Sequence, residues 1–126
     1  MYDNLYCKVY LNSELEIEEL YQYINCKVLG RLEPIRTIIT DWGEMDLCKN
    51  NEFNPQRLID DPENFVFWRY YIDIEPKKQI DQSDYIDQIA KLLKDLNSDN
   101  IKAVASCDFE KDLNMDCFEK NSRLHI

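Results

Sequence analysis

The chain has 126 residues, 44% hydrophobic and 32% charged, with 25 acidic against 15 basic side chains and a net charge of −10. That length supports one hydrophobic core rather than two, and its aromatic and β-branched content excludes a disordered chain. The charge disfavours bare nucleic acid, which is gripped by Lys and Arg on phosphates, and anionic membrane surfaces; it favours a basic partner.

The first element is a strand. Leu5, Cys7, Val9 and Leu11 fall on one face and Tyr6, Lys8 and Tyr10 on the other, a period of two. Ser13 with Glu16 reads as a capping box, and four glutamates crowd the helix start, where the dipole favours them. Ile17, Leu20, Tyr21, Ile24 and Val28 then recur at helical spacing, which predicts a helix over 14–29 with Gly30 as its stop. Residues 35–40 are β-branched and predict a strand, Asp41-Trp42-Gly43 a turn or bulge, and residues 44–49 a resumed strand. In the polar stretch 50–64, Asn54 before Pro55 is placed to cap a single helical turn.

Residues 65–75 carry the strongest strand pattern, with Val66, Trp68, Tyr70, Ile72 and Ile74 as the core parity and Pro76 as its end. Ser83 precedes an amphipathic helix over 84–96, whose buried stripe is Ile86, Ile89, Leu93 and Leu96. A last strand spans 101–109, and the pattern then fades into a polar tail. The expected organisation is one domain over 1–110, with residues 111–126 packing on it or partly mobile. The order β-α-β-β-α-β predicts an α+β, ferredoxin-like fold, an antiparallel sheet with two helices packed on one face. Its open face would carry Tyr6, Tyr10, Phe67 and Tyr71, covered by Leu113, Met115 and Phe118 of the tail or by a partner.

Five cysteines (Cys7, Cys26, Cys48, Cys107 and Cys117) are scattered with no C-x-x-C pair. The N-terminus lacks the basic and apolar regions of a signal peptide, and no apolar run is long enough to cross a bilayer. These features predict free, mostly buried thiols in a reducing cytoplasm.

Motifs for chemistry are missing. There is no G-x-G-x-x-G, no G-x-x-x-x-G-K-S/T, no G-x-S-x-G and no H-E-x-x-H, and two glycines leave little for a phosphate-cradling loop. His125, the single histidine, would need Cys107 and Cys117 as distant co-ligands, unlike the close spacing of zinc sites. No catalytic residue, metal or cofactor is therefore expected. The run Phe67-Trp68-Arg69-Tyr70-Tyr71 interleaves basic and aromatic residues but lacks the glycines of RNA-reading strands. Asp73 with Glu75 shares a strand face, so a carboxylate site with Asp108, for a small enzyme or ligand-binding module, is one alternative. A homo-oligomer, such as a homodimer whose aromatic sheet faces pair, is another.

Acidic clusters offer a third reading. Asp41, Glu44, Asp46, Glu52, Asp60, Asp61 and Glu63 gather around Trp42 in loops and strand ends, and form a candidate partner-binding set. Trp42 is there either an aromatic anchor with a charged rim or a core residue.

Two stretches resemble small acidic bacterial immunity proteins encoded beside polymorphic or contact-dependent toxins. One is Glu44-Met-Asp-Leu-Cys-Lys-Asn-Asn-Glu-Phe-Asn-Pro with Phe65-Val-Phe-Trp-Arg-Tyr-Tyr-Ile-Asp-Ile-Glu-Pro. The other is Tyr85-Ile-Asp-Gln-Ile-Ala-Lys-Leu-Leu-Lys-Asp-Leu with Ile101-Lys-Ala-Val-Ala-Ser-Cys-Asp-Phe-Glu-Lys-Asp-Leu, so that the likeness spans about residues 44–113. The resemblance implies a cytoplasmic antitoxin, without catalytic residues, that occludes the active site of a cognate toxin, often a basic nuclease. Cys48-Lys49 and the tail after Asn114 depart from that pattern, and no contact residue is carried over.

Overall fold

The N-terminal alternation forms strand β1 (Cys7–Asn12), whose Cys7, Val9 and Leu11 are fully buried. It is one of six strands in this computed structural model, which describes residues 2–113. The others are β2 (Arg31–Glu33), β3 (Thr37–Ile39), β4 (Gly43–Lys49), β5 (Tyr70–Pro76) and β6 (Lys102–Cys107). Helices α1 (Ile17–Val28), α2 (Pro55–Asp60) and α3 (Gln82–Ser98) and a 3-10 turn at Phe65–Phe67 join them, and residues 110–113 are helical too. The strands form one sheet in the order β2-β3-β4-β5-β1-β6, and every neighbouring pair is antiparallel. The chain is thus α+β with a six-stranded antiparallel sheet, where the pattern predicted four strands.

One face of the sheet is the core. Val9, Leu11, Ile38, Met45, Leu47, Ile72, Ile74, Ala103 and Ala105 point to it and meet Leu20 and Ile24 of α1 and Tyr85, Ile89, Leu93 and Leu96 of α3. Burial of each such aliphatic side chain stabilises by roughly 1.5–3 kcal/mol. Tyr85 is fully buried because its hydroxyl is satisfied, donating to the Leu5 carbonyl at 2.6 Å.

Several expectations shift for local reasons. The first helix begins at Ile17 rather than 14, because Glu16, not Ser13, is the N-cap and shares a capping box with Glu19. Ser13 instead accepts from the Leu15 N–H at 3.1 Å. Leu29 rather than Gly30 takes the left-handed C-cap, with φ 54°; a Cβ on Gly30 would meet Ile38 Cγ2 at 2.4 Å, so that glycine serves close approach instead. The strand expected at 35–40 is a hairpin. Pro34 breaks it, Ile35 and Arg36 sit at φ 60° and 58°, and β2 and β3 flank the loop. The Tyr21 hydroxyl holds the neck by donating toward the carbonyls of Glu33 and Thr37, at 2.6 and 3.0 Å.

The strand expected from Phe65 starts only at Tyr70. The Asn50 amide donates to the carbonyls of Val66 and Trp68 at 3.0 and 2.7 Å, taking acceptors that a ladder would use. Phe65 meanwhile folds onto Tyr10, ring centroids 5.1 Å apart. Trp68 and the rest of the core parity hold, but Val66 is exposed. The α2 turn forms as expected, its first amides capped by Asn54 at 3.1 Å from Arg57 N. The second helix starts earlier than predicted because Asp81, rather than Ser83, caps it. Beyond β6, Phe109 and Leu113 are buried in the core, so the start of the tail packs on the domain; Met115, Phe118, Cys117 and His125 lie outside the described residues.

The turn into β4 is organised by Thr40, the one buried polar residue among those described. Its hydroxyl accepts from the Gly43 N–H and donates to the Gly43 carbonyl, both at 2.8 Å. A Cβ on Gly43 would fall 2.6 Å from the backbone oxygen of Glu75. Gly43→Ala should therefore force β4 and β5 apart and cost about 1–3 kcal/mol, read as a lower urea midpoint. An unchanged midpoint would show that this strand end yields freely.

Candidate functional site

The sheet face away from the helices is set by the same alternation that builds the core. Directly opposed residues in a sheet point to the same side, so the register assembles this face row by row. One row runs Arg31, Ile39, Glu44 and Glu75; the next runs Glu33, Thr37, Asp46, Asp73, Lys8 and Ser106; a third joins Cys48, Tyr71, Tyr10 and Val104. Two pairs are like-charged: Glu44 stands opposite Glu75, and Asp46 opposite Asp73. Among the described residues these rows carry five carboxylates and two cations, and one of those cations, Arg31, is paired with Glu33 at 2.7 Å.

Local partners hold the carboxylates in place. Asp46 accepts from the Thr37 hydroxyl at 2.5 Å, and Asp73 accepts from the Tyr6 hydroxyl. Burial, and then that bond to a carboxylate, push the Tyr6 pKa up, so the phenol stays a donor. Lys8 lies over the Tyr71 ring at 4.2 Å from its centroid and 5.6 Å from that of Tyr10. Contact with Cys48 and then burial raise the Tyr71 pKa as well.

The 50–68 segment forms a wall at the Tyr10 end. Phe65 covers Tyr10, Trp68 donates from its indole to the Pro62 carbonyl at 2.9 Å, and Glu63 reaches Lys102 at 2.8 Å. Behind this wall, at the end of the sheet, an open groove of about 1020 Å³ is lined by Leu15, Phe53, Leu58, Ile59 and Arg69 among others.

The structure divides the predicted binding set. Glu44 and Asp46 lie side by side on the open face, and Glu52, Asp60, Asp61 and Glu63 are exposed on the wall segment. Asp41 points elsewhere, into a 260 Å³ pocket on the helix side with Lys27 and Lys91. Trp42 takes the core alternative rather than that of an anchor. It is only 6% exposed and packs against Tyr85, ring centroids 6.1 Å apart. The turn at Thr40 sends its side chain inward, against the alternation of β4, in which Met45 and Leu47 face the core and Glu44 and Asp46 do not.

Pattern reading missed Glu33 because residues 31–33 were not assigned to a strand. It found Asp73 and Glu75 only as a pair along one strand. Their like-charged partners across β4 needed the register. No family model, curated protein or solved structure matches the chain. The site therefore stands on its own geometry. Asp73 and Glu75 do not line either concavity just described, and Asp108 sits in the turn after β6. No cluster of three potential metal ligands occurs among the described residues, and no helix there is long and apolar enough to cross a membrane.

Like charges directly opposed on a sheet are destabilising by up to about 1 kcal/mol. Glu44→Gln should therefore raise unfolding stability by a few tenths of a kcal/mol or more at low ionic strength, with the gain shrinking in 0.5 M salt, because exposed charges are screened there on the order of a few Å. Paired denaturant titrations at the two salt concentrations measure it. A loss of stability in both would show that the Glu44–Glu75 pairing is not repulsive.

Proposed function

We propose that the chain is an immunity protein, a non-catalytic antitoxin that binds a basic toxin domain and occludes its active site through the open acidic face. The observation that carries this reading is the register that sets like-charged residues opposite each other across β4 and β5, Glu44 with Glu75 and Asp46 with Asp73. An arrangement that costs folding stability and serves no core contact is relieved when a partner supplies Lys or Arg. Such placement of repulsion at functional surfaces is a recurrent trade between stability and activity. A cationic cleft laid on this face would gain charge-assisted hydrogen bonds and fast electrostatically steered encounter. Tyr10, Tyr71 and the Phe65 wall supply apolar contact beside the charges, as binding hot spots require. A standard interface would bury about 800 Å² on each partner.

The resemblance of residues 44–113 to antitoxins encoded beside contact-dependent toxins agrees with this reading, as does the net charge of −10. On this reading the protein acts in the bacterial cytoplasm, where a nuclease toxin would act. The proposal also takes β4-β5-β1-β6 with α1 and α3 as a ferredoxin-like split βαβ unit, to which the β2–β3 hairpin is added at one edge. The neighbour order and the antiparallel pairings support that interpretation. The homodimer alternative fares worse on this face, because a two-fold contact would set the same carboxylates against themselves.

The test is genetic and then kinetic. The reading frame adjacent to this gene, expressed alone, should arrest growth, and co-expression of this chain should restore it. Replacing Glu44 and Asp46 together by Lys should slow association with the purified toxin domain at least tenfold at low salt while leaving the antitoxin folded. A harmless neighbour, or rescue and association rate indifferent to both salt and charge reversal, would sink the proposal.

A further inference from the structure

Cys7 and Cys107 stand directly opposite each other across β1 and β6. Both fall on the helix-facing side: Cys7 is fully buried, and Cys107 is half-buried at the end of its strand. Facing residues of an antiparallel pair have Cα atoms roughly 4.5–5.5 Å apart, inside the roughly 4.4–6.8 Å that a disulfide spans. Each thiol also shifts the pKa of the other, Cys7 lowering that of Cys107 and Cys107 raising that of Cys7. Cys26 is exposed on α1, and Cys48 lies on the opposite sheet face beside Tyr71. We propose that Cys7 and Cys107 form a dithiol site that hydrogen peroxide converts into a cross-strand disulfide.

The two thiols have distinct roles. The Cys7 hydrogen bond, and then the Phe109 backbone N–H, hold the Cys107 pKa below the ordinary thiol value, while burial, Glu110 and Asp108 oppose this. The same hydrogen bond, and then burial, push Cys7 up. Cys107 is thus both the more accessible sulfur and the better thiolate, the combination that marks a peroxide-sensitive cysteine. Its thiolate attacks one peroxide oxygen, breaking the O–O bond; the other oxygen leaves as hydroxide and takes a proton to become water, and Cys107 becomes a sulfenic acid. The Cys7 sulfur then attacks the sulfenic sulfur, forming the S–S bond, and the sulfenic hydroxyl leaves as a second water with the Cys7 proton. Two thiols are oxidised and one peroxide is reduced.

Peptide mapping of the full, reduced chain after near-stoichiometric hydrogen peroxide tests this without any variant. The expected result is a Cys7–Cys107 linked peptide and a chain lighter by two hydrogens. Closing a loop of this length should also raise Tm by at least about 5 °C over the reduced protein. Cys107→Ser should leave Cys7 fully alkylatable, and Cys7→Ser should leave a sulfenic acid at Cys107 that dimedone captures. The proposal is overturned if Cys7 and Cys107 both stay alkylatable at a peroxide dose that oxidises exposed Cys26, or if Cys107 links instead to Cys26, Cys48 or Cys117.

Discussion

The register between β4 and β5 is the constraint on which the rest depends. Met45, Leu47, Ile72 and Ile74 must all reach the helices, and side chains alternate with a period of two. A slip of one residue would carry that whole apolar set to the opposite face and drive carboxylates into the core. The core therefore dictates that Glu44 meets Glu75 and Asp46 meets Asp73. The repulsion cannot be relieved by sliding the strands, only by side chains already on the face or by something brought to it. Thr37, Tyr6 and Lys8 supply part of that compensation.

How much of this was legible beforehand follows from range. Local signals were read well. The alternation of β1 and of the 70–74 segment, the Asn54 cap and the stripe of α3 need only neighbours a few residues away. What failed needed partners distant in the chain. Residues 65–67 have strand-forming side chains, yet the Asn50 amide and the Tyr10 ring bend them into a turn. The hairpin at 31–39 places Ile35, a β-branched residue, in the left-handed region, which local preference argues against; Tyr21 and Arg36 contacts hold it there. Among the binding candidates, exposure on a strand was foreseeable for Glu44 and Asp46, but the inward turn of Trp42 was a matter of one position beside Gly43. The like-charged pairs were invisible, because no composition or spacing states which residue of one strand faces which residue of another.

The connection from β4 to β5 shapes the face as much as the strands do. A two-residue hairpin would leave the Tyr10–Tyr71 row open at its end. Instead, residues 50–69 rise over it, locked by Trp68, which is 1% exposed yet stands apart from the main core, and by Asn50 bonds to two carbonyls. The result is a face with a hydrogen-bonded aromatic wall on one side and carboxylates across the rest. Rigid walls lower the ordering cost of association, and the acids Asp60, Asp61 and Glu63 on the wall extend the negative field beyond the sheet. The short edge strand β2 and the lysine at the start of β6 meanwhile discourage edge-to-edge pairing, which directs association to the face.

The cysteine pair and the acidic face occupy opposite sides of the same strand. Cys7 points to the helices, whereas its neighbours Tyr6 and Lys8 point to the carboxylates. A bond between Cys7 and Cys107 would fasten β6 to β1 from behind without replacing any side chain on the open face. It would tie down the strand from which the chain leaves toward Phe109 and Leu113, the part of the core assembled last in the chain and furthest from the β4–β5 register. Oxidation is thus expected to act on how firmly the sheet is held rather than on what the face recognises. The alternation that separates core from surface also separates the two chemistries.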